Sequence, residues 1–437
     1  MRSLSGPGRW LTGCLVCAAV TGAFARPPVA LPALQVESNA RWFATEDGRR
    51  FDYREITAFS LLSRLLIHEE TYVRHHLRTV KALGFTVVRV MLTLDGEYWT
   101  KTPLGRSFRS APDMPGYWDA LDTLARVTAE EGVYLRAVLL GAVEPFGGVW
   151  HADRRDVWSG TVKGRGERFA IEAATRLSSH PHVILELANE PTEIGMRDSV
   201  DDLVALGRAV KARAPRALVG GGALGGAGDR PELAAAPFDY LDAHLERDRG
   251  VGGFAWVAES GDHGAIDQGR ASRRMPFISG EPVNFGEWRL DGRNDDVERS
   301  PAVAFAYAAM SRARQFNTNF HYDGGLWTTL PGPDTLAAIT CYMTALDAIP
   351  MLTGTRWRGG DAEAYWKPVW PDSDDSAVAE AHVRRGRGPW RIFGTGPYSV
   401  AFPAPAGWDW QAGLTAPAER LAGCADGAFE AAAYRKR

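Results

Sequence analysis

Between about residues 50 and 350 the chain alternates short apolar, β-branched runs with longer stretches whose apolar positions recur every three or four residues. The first pattern is that of a strand buried on both faces, and the second that of an amphipathic helix. The strand-like runs are Ile56–Ser60, Val87–Met91, Tyr134–Leu140, Val183–Leu187, Leu218–Gly221, Tyr240–His244, Phe277–Glu281 and Gly324–Trp327. Helical patterns between them cover Glu70–Leu83, Tyr117–Glu131, Gly166–Leu177, Val200–Arg213, Ala302–Asn317 and Thr335–Leu346. Several end at a Gly within two residues, a usual helix stop. Strand–helix alternation of this kind implies parallel strands joined by helices. Eight repeats over some 300 residues fit a (β/α)8 barrel, whose functional groups sit at the carboxyl ends of the strands.

After Pro350 the texture changes to Pro, Gly and Trp with short alternating runs at Ala377–Val383, Trp390–Phe393 and Ser399–Phe402. The fold class expected is therefore α/β, a TIM barrel over residues 50–350 with a β-rich C-terminal appendage over 351–437. Residues 26–49 form an N-terminal extension. Residues 1–25 read as a secretory signal, with Arg2 and Arg9, an apolar run from Leu11 to Val20, and Ala23-Phe24-Ala25 before the cleavage point. That run is about half the ~20 residues a membrane span needs. A secreted or periplasmic protein with no membrane association after signal removal is expected, and a monomer. Cys341 and Cys424 then remain, either as a disulfide or as two small buried residues.

With 45% hydrophobic and 24% charged residues the chain can fill a large core, which excludes a disordered protein. Fifty Lys and Arg stand against 53 Asp and Glu, so no basic surplus points to a nucleic-acid partner. No His-Glu-x-x-His or clustered Cys/His spacing occurs, so neither a metal nor a cofactor is expected. Gly220, Gly222 and Gly225 mimic a dinucleotide fingerprint, with Asp242 beyond them. In a chain with 47 Gly, after four strand–helix units, close backbone approach in a loop is the better reading.

The chemistry is concentrated at two strand ends. Val183-Ile184-Leu185-Glu186-Leu187-Ala188-Asn189-Glu190-Pro191 is an apolar strand that carries charge, and a buried unpaired carboxylate costs several kcal/mol. Pro276-Phe277-Ile278-Ser279-Gly280-Glu281-Pro282 repeats the arrangement, a buried run stopped at Glu-Pro. Inward side chains at the ends of strands four and seven meet above a narrow barrel's interior. Two carboxyls there have the makings of the acid and nucleophile of retaining glycoside hydrolysis. Strand alternation turns Glu186 into the barrel, where an ion pair with Arg89 or another buried cation is expected. The adjacent His75 and His76 fall in a helical stretch and are expected at the surface.

At these residues the chain resembles the clan A glycoside hydrolases, in particular the cellulase-like family five, over roughly residues 50–350. Asn189-Glu190-Pro191 matches the strand-four motif, which implies Glu190 as acid/base and Asn189 as the amide beside the sugar 2-hydroxyl. Glu281 matches the strand-seven nucleophile, with Glu287 as its rival in Phe285-Gly286-Glu287-Trp288. Arg89 matches the strand-two arginine that keeps the nucleophile ionised, His244 the strand-six histidine, and Trp327 the strand-eight tryptophan under the sugar. The chain departs from the pattern near strand three, which reads Leu140-Gly141-Ala142-Val143-Glu144 without a His, and at Glu246, where a Tyr is common.

The resemblance implies a retaining β-glycosidase for an oligo- or polysaccharide of the glucan or mannan type. The alternatives are a transglycosylase of the same clan and a carbohydrate-binding pseudo-enzyme without turnover, the latter prompted by those departures. Fifteen Trp are a large outlay of flat, hydrogen-bonding side chains. Trp99, Trp150, Trp158, Trp256 and Trp288 fall where the catalytic rim is expected, and Trp150 and Trp288 are candidates for stacking on sugar.

Overall fold

The computed structural model describes residues 31–36, 42–96, 107–149, 157–191, 195–196, 200–222, 237–244, 275–281, 304, 308 and 317–348, and four short strands beyond them. A hairpin of β1 (Leu34–Val36) and β2 (Phe43–Thr45) precedes eight parallel strands. These are β3 (Arg54–Thr57), β4 (Val87–Met91), β5 (Tyr134–Leu140), β6 (Val183–Ala188), β7 (Leu218–Gly220), β8 (Leu241–His244), β9 (Phe277–Glu281) and β10 (Asn317–Phe320). Their spatial order is β7-β6-β5-β4-β3-β10-β9-β8, and a parallel bridge between Gly220 and Tyr240 joins the two ends. The sheet is a closed (β/α)8 barrel.

The connecting helices described are α1 (Leu61–Leu66), α2 (Glu70–Ala82), α3 (Tyr117–Glu131), α4 (Gly160–Leu177) and α5 (Val200–Arg213), then α6 (Asp323–Leu326) and α7 (Pro333–Ala348) after β10. In α3 the buried residues Tyr117, Ala120, Leu121, Leu124, Ala125 and Thr128 repeat at three- and four-residue spacing, so one stripe faces the sheet. The helix stops at Gly132, whose φ of 73° a side chain would resist. Outward strand residues such as Val88, Val90, Leu135, Ala137, Leu185 and Leu187 pack with these stripes in one large core. Intervening residues point into the barrel.

Phe43 of the hairpin stacks on Tyr53 at 5.4 Å between centroids and meets Tyr240 edge-on at 5.7 Å. With Val87, Tyr134, Ile184, Leu218 and Ile278 these side chains fill the amino-terminal end of the barrel. The N-terminal extension is thus the plug of that end.

Two expectations change. The eighth strand is Asn317–Phe320, and Gly324–Trp327 lies in α6 and the residue after it. The true strand reads Asn-Thr-Asn-Phe because its interior position Asn319 bonds Glu55, so it shows no apolar run. His76 is fully buried on α2, close to Tyr72. Most of the Ala302–Asn317 helical pattern lies outside the described residues. In the appendage, Trp390–Phe393 pairs antiparallel with Val400–Pro403, and Trp408–Gln411 with Ala433–Lys436. Ala377–Val383 lies outside the described residues. Cys341 is buried and disulfide-bonded, and its expected partner Cys424 lies outside the described residues.

Candidate active site

Above the apolar plug, the next inward position is polar in six of the eight strands, and Gly220 and Gly280 stand there in β7 and β9. Glu55 (β3), Arg89 (β4), Arg136 (β5), Glu186 (β6), Asp242 (β8) and Asn319 (β10) are all buried. Arg89 donates from Nε to Glu186 Oε2 at 2.9 Å and from Nη2 to Glu186 Oε1 at 2.7 Å, a two-pronged pairing suited to a planar guanidinium. Its other arm, Nη1, reaches Glu281 Oε1 at 2.5 Å, and Nη2 also serves Asn189 Oδ1 at 2.8 Å. Phe59 lies 5.1 Å from the guanidinium carbon. Burial opposes the Arg89 charge, yet Glu186 and Glu281 outweigh it and hold the group above the usual arginine range. Burial likewise opposes ionisation of Glu186, and Arg136 and Arg89 together overcome it, so its carboxyl is held below the usual range.

The carboxyl ends of β6 and β9 carry the two predicted carboxylates, and that of β8 carries His244. Glu281 is the last residue of β9 and sits opposite His244, where a register shift between Ala243 and His244 leaves Gly280 as the extra residue. Such bulges re-aim side chains at the rims of barrels. Gly280 is required there, because a Cβ would run into the Asp242 carboxyl. Glu190 follows β6 with a left-handed backbone, φ 42°, a conformation costing a non-Gly residue about 1–3 kcal/mol. Its Oε1 lies 3.1 Å from His244 Nδ1, and His244 Nε2 lies 3.7 Å from Glu281 Oε1 and 3.4 Å from Arg89 Nη2. Because the guanidinium only donates, this fits an imidazole protonated on Nδ1 and donating to Glu190.

One oxygen of Glu190, one of Glu281 and a ring nitrogen of His244 all lie within 4.8 Å of one another. The environments of the two carboxyls differ. The Glu281 side chain is 3% exposed and rests on a fixed cation, whereas that of Glu190 is 19% exposed. An ionised attacking group and a more accessible proton carrier need this asymmetry.

Glu190, Glu281, Arg89, Asn189 and His244 are thus brought together. Trp327 lies after α6 at 3% exposure, packed with Phe59, Met91, Leu94, Phe108, Val138 and Leu326, and its carbonyl accepts from Arg64 Nη2 at 2.9 Å. It belongs to the apolar layer around the upper interior and does not end a strand. Trp158, expected at the rim, is buried in the main core against Gly166. Glu144 occupies the strand-three position and accepts from the Val143 N–H at 3.1 Å. Trp150, Trp288, Glu287 and Glu246 lie outside the described residues. Gly222 has φ 94° and a Cβ there would strike the Ala188 carbonyl, in keeping with close backbone approach.

Sequence reasoning missed Glu55, Arg136 and the interior role of Asp242. Arg136 Nη1 bonds Glu55 at 3.1 Å, while its Nη2 lies 2.8 Å from Glu186 and also contacts Asp242. The signal existed, since Arg136 interrupts an apolar strand as Glu186 does.

No family model and no curated protein matches the chain. Solved structures do. It is similar to a glycoside hydrolase at 17% identity and TM-score 0.50, over 71% of this chain and 73% of that one. It is similar to the endo-1,4-β-mannanase of Rhizomucor miehei at 16% identity and TM-score 0.50, over 71% of this chain and 99% of that one. A family 5 mannosidase from Rhizomucor miehei superposes at 12% identity and TM-score 0.51, over 73% of this chain and 98% of that one. The chain has a (β/α)8 barrel fold, of the kind these glycoside hydrolases adopt.

Proposed function

We propose that the protein is a retaining β-glycoside hydrolase acting on β-linked glucan or mannan chains. The observation that carries this reading is the pair of carboxyls with oxygens within 4.8 Å of each other at the carboxyl end of the barrel. Retaining enzymes separate the two groups by ~5–5.5 Å, whereas inverting enzymes leave ~6.5–9.5 Å for a water. Glu281, set against Arg89, attacks the anomeric carbon while Glu190 gives its proton to the departing glycosidic oxygen. The covalent glycosyl-enzyme is then cleaved by a water that Glu190 deprotonates. Once Glu281 is esterified its negative charge is gone, so Glu190 loses a nearby like charge and its ionised form is favoured, which suits it to act as the base of the second step. Asn189, oriented by Arg89, presents its amide to the sugar 2-hydroxyl, and Trp327 walls the cleavage point. Trp150 and Trp288 are the proposed stacking residues.

The mannanase and mannosidase likenesses favour an oligosaccharide substrate, and one such mannosidase was solved with mannosyl-fructose. Removal of residues 1–25 and action outside the cytoplasm, as a monomer, belong to the same proposal.

The test is turnover of a panel of β-mannans and β-glucans by wild type and Glu190→Ala. Loss of a general acid slows the variant by ~10²–10⁴-fold, and azide partly restores its deglycosylation. Near-normal turnover by the variant would remove Glu190 from the mechanism. Saturable binding by wild type with no turnover of any glycan would select the pseudo-enzyme.

A further inference from the structure

Arg64 is a buried charge that the proposed reaction does not use. It lies on α1 among Leu61, Leu62 and Leu65 with 3% of its side chain exposed, a setting in which an arginine is seldom found without a specific partner. Glu69 takes its Nη1 at 2.6 Å. Its Nε and Nη2 both donate to one backbone oxygen, the Trp327 carbonyl, at 3.2 and 2.9 Å. The guanidinium carbon also lies over the Tyr72 ring at 4.0 Å and the Phe108 ring at 4.8 Å from the centroids. A planar fork held by two rings and a carboxylate is fixed in direction as well as in place.

The turn between β3 and α1 grips the residues on both sides of Trp327. The Phe59 N–H donates to the Gly325 carbonyl at 2.9 Å, Ser60 Oγ to the Leu326 carbonyl, and the Ser60 N–H to Thr328 Oγ1 at 3.0 Å. Gly325 comes so close to β3 that a Cβ there would strike the Thr57 carbonyl. Thr328 is held at φ 50°, a left-handed backbone that a β-branched residue adopts only under constraint. Residues 325–328 are thus each fastened to the start of the first strand–helix unit.

Trp327 packs with Phe59, Phe59 lies 5.1 Å from the Arg89 guanidinium carbon, and Arg89 holds Glu281. Phe108 belongs to the same apolar layer, on the segment whose Ser110 bridges to Leu94 beyond β4. We propose that Arg64 is a positioning residue, which fixes Trp327 and Phe108 as one wall of the sugar subsite beside Glu281. The use of that wall rests on the glycosidase reading; the fixing of the indole does not.

The test uses the full chain labelled with 5-fluorotryptophan, as wild type, Arg64→Lys and Ser60→Ala. Loss of a signal in Trp327→Phe and in Trp158→Phe identifies those two fluorine resonances. Lysine keeps the charge of Arg64 but lacks its planar fork. In Arg64→Lys the Trp327 resonance should shift or split, while that of Trp158, in the main core, stays in place. Ser60→Ala should move the same resonance to a smaller extent. On a glycan that wild type turns over, KM should rise by ~3–10-fold in Arg64→Lys with kcat held within about twofold, because a wall serves ground state and transition state alike. An arginine that only supported the fold would lower the share of folded enzyme, and so the apparent kcat, with KM unchanged. Where Arg64→Lys does not fold, Ser60→Ala carries both readouts. A Trp327 resonance unmoved in the folded variants, or one that moves while KM stays the same, would overturn the inference. A shifted resonance in a protein inactive on every glycan would uphold the fixing of Trp327 and remove the glycosidase reading alone.

Discussion

Replacing Arg89 with Met keeps most of the stem volume and removes the cation that joins Glu186, Glu281 and Asn189. Arg89 and Glu186 are fully buried and Glu281 nearly so, so water cannot take over the lost contacts without opening the barrel. Breaking a buried pair by deleting one partner costs about 3–5 kcal/mol, because the other charge is left uncompensated. Here one deletion removes a cation from two carboxylates, Glu186 keeping Arg136, which places the loss within that range. At ~2–4 °C per kcal/mol for a domain of ~150–250 residues, the melting temperature should fall by roughly 10 °C or more. The sign of the pH dependence follows from Glu186. Its folded-state carboxyl is held low by Arg136 and Arg89 against burial, so the stability it contributes is present above its unfolded value, ~4.3, and is lost as pH falls through the lower folded value. The gap between wild type and Arg89→Met should therefore be widest near neutrality and narrow below pH ~4. Urea unfolding at a series of pH values measures it. A loss under ~1 kcal/mol at pH 7, the scale of an exposed pair, would refute the buried-network reasoning.

His76 carries a second pH signature. Burial pushes its imidazole down to about 3, so the fold holds it neutral while the unfolded chain protonates it below ~6.5. Wild type should lose stability as pH drops from ~6.5 towards 3, and His76→Phe should lose less over that window; parallel curves would show that another group is responsible. Gly222→Ala forces a side chain onto φ 94° and into the Ala188 carbonyl, and should cost more than ~2 kcal/mol in chemical denaturation, whereas a neutral result would place the loop differently.

The helices and most barrel strands were legible because their outer faces obey simple periodicity. Val87–Met91, Tyr134–Leu140 and Phe277–Glu281 form the strands predicted, and α3 and α5 run over the residues predicted. The eighth strand was hidden by its interior chemistry, with Asn317 and Asn319 where an apolar run was sought. His76 was misplaced because a histidine doublet on a helix looks polar, although one of two adjacent positions must turn toward the barrel. Glu190 and Glu281 were readable as charges at the ends of apolar strands. Glu55, Arg136 and Asp242 followed the same rule one layer down. Which buried carboxyl pairs with which cation depends on strand order and stagger, and no single strand's sequence encodes that. Trp327 follows a short helix and does not end the eighth strand as expected, because Gly324-Gly325 allows a tight helical turn as readily as an extended end.

The central claim is that Glu281 attacks the sugar. Incubation with a 2-deoxy-2-fluoro-β-mannoside or the corresponding glucoside, followed by proteolysis and peptide mass mapping, tests it most directly. A covalent fluoroglycosyl group on Glu281, formed as activity is lost, is the predicted result. A label on Glu287, or time-dependent hydrolysis of a natural glycan with no covalent adduct trapped on any carboxyl, would contradict it.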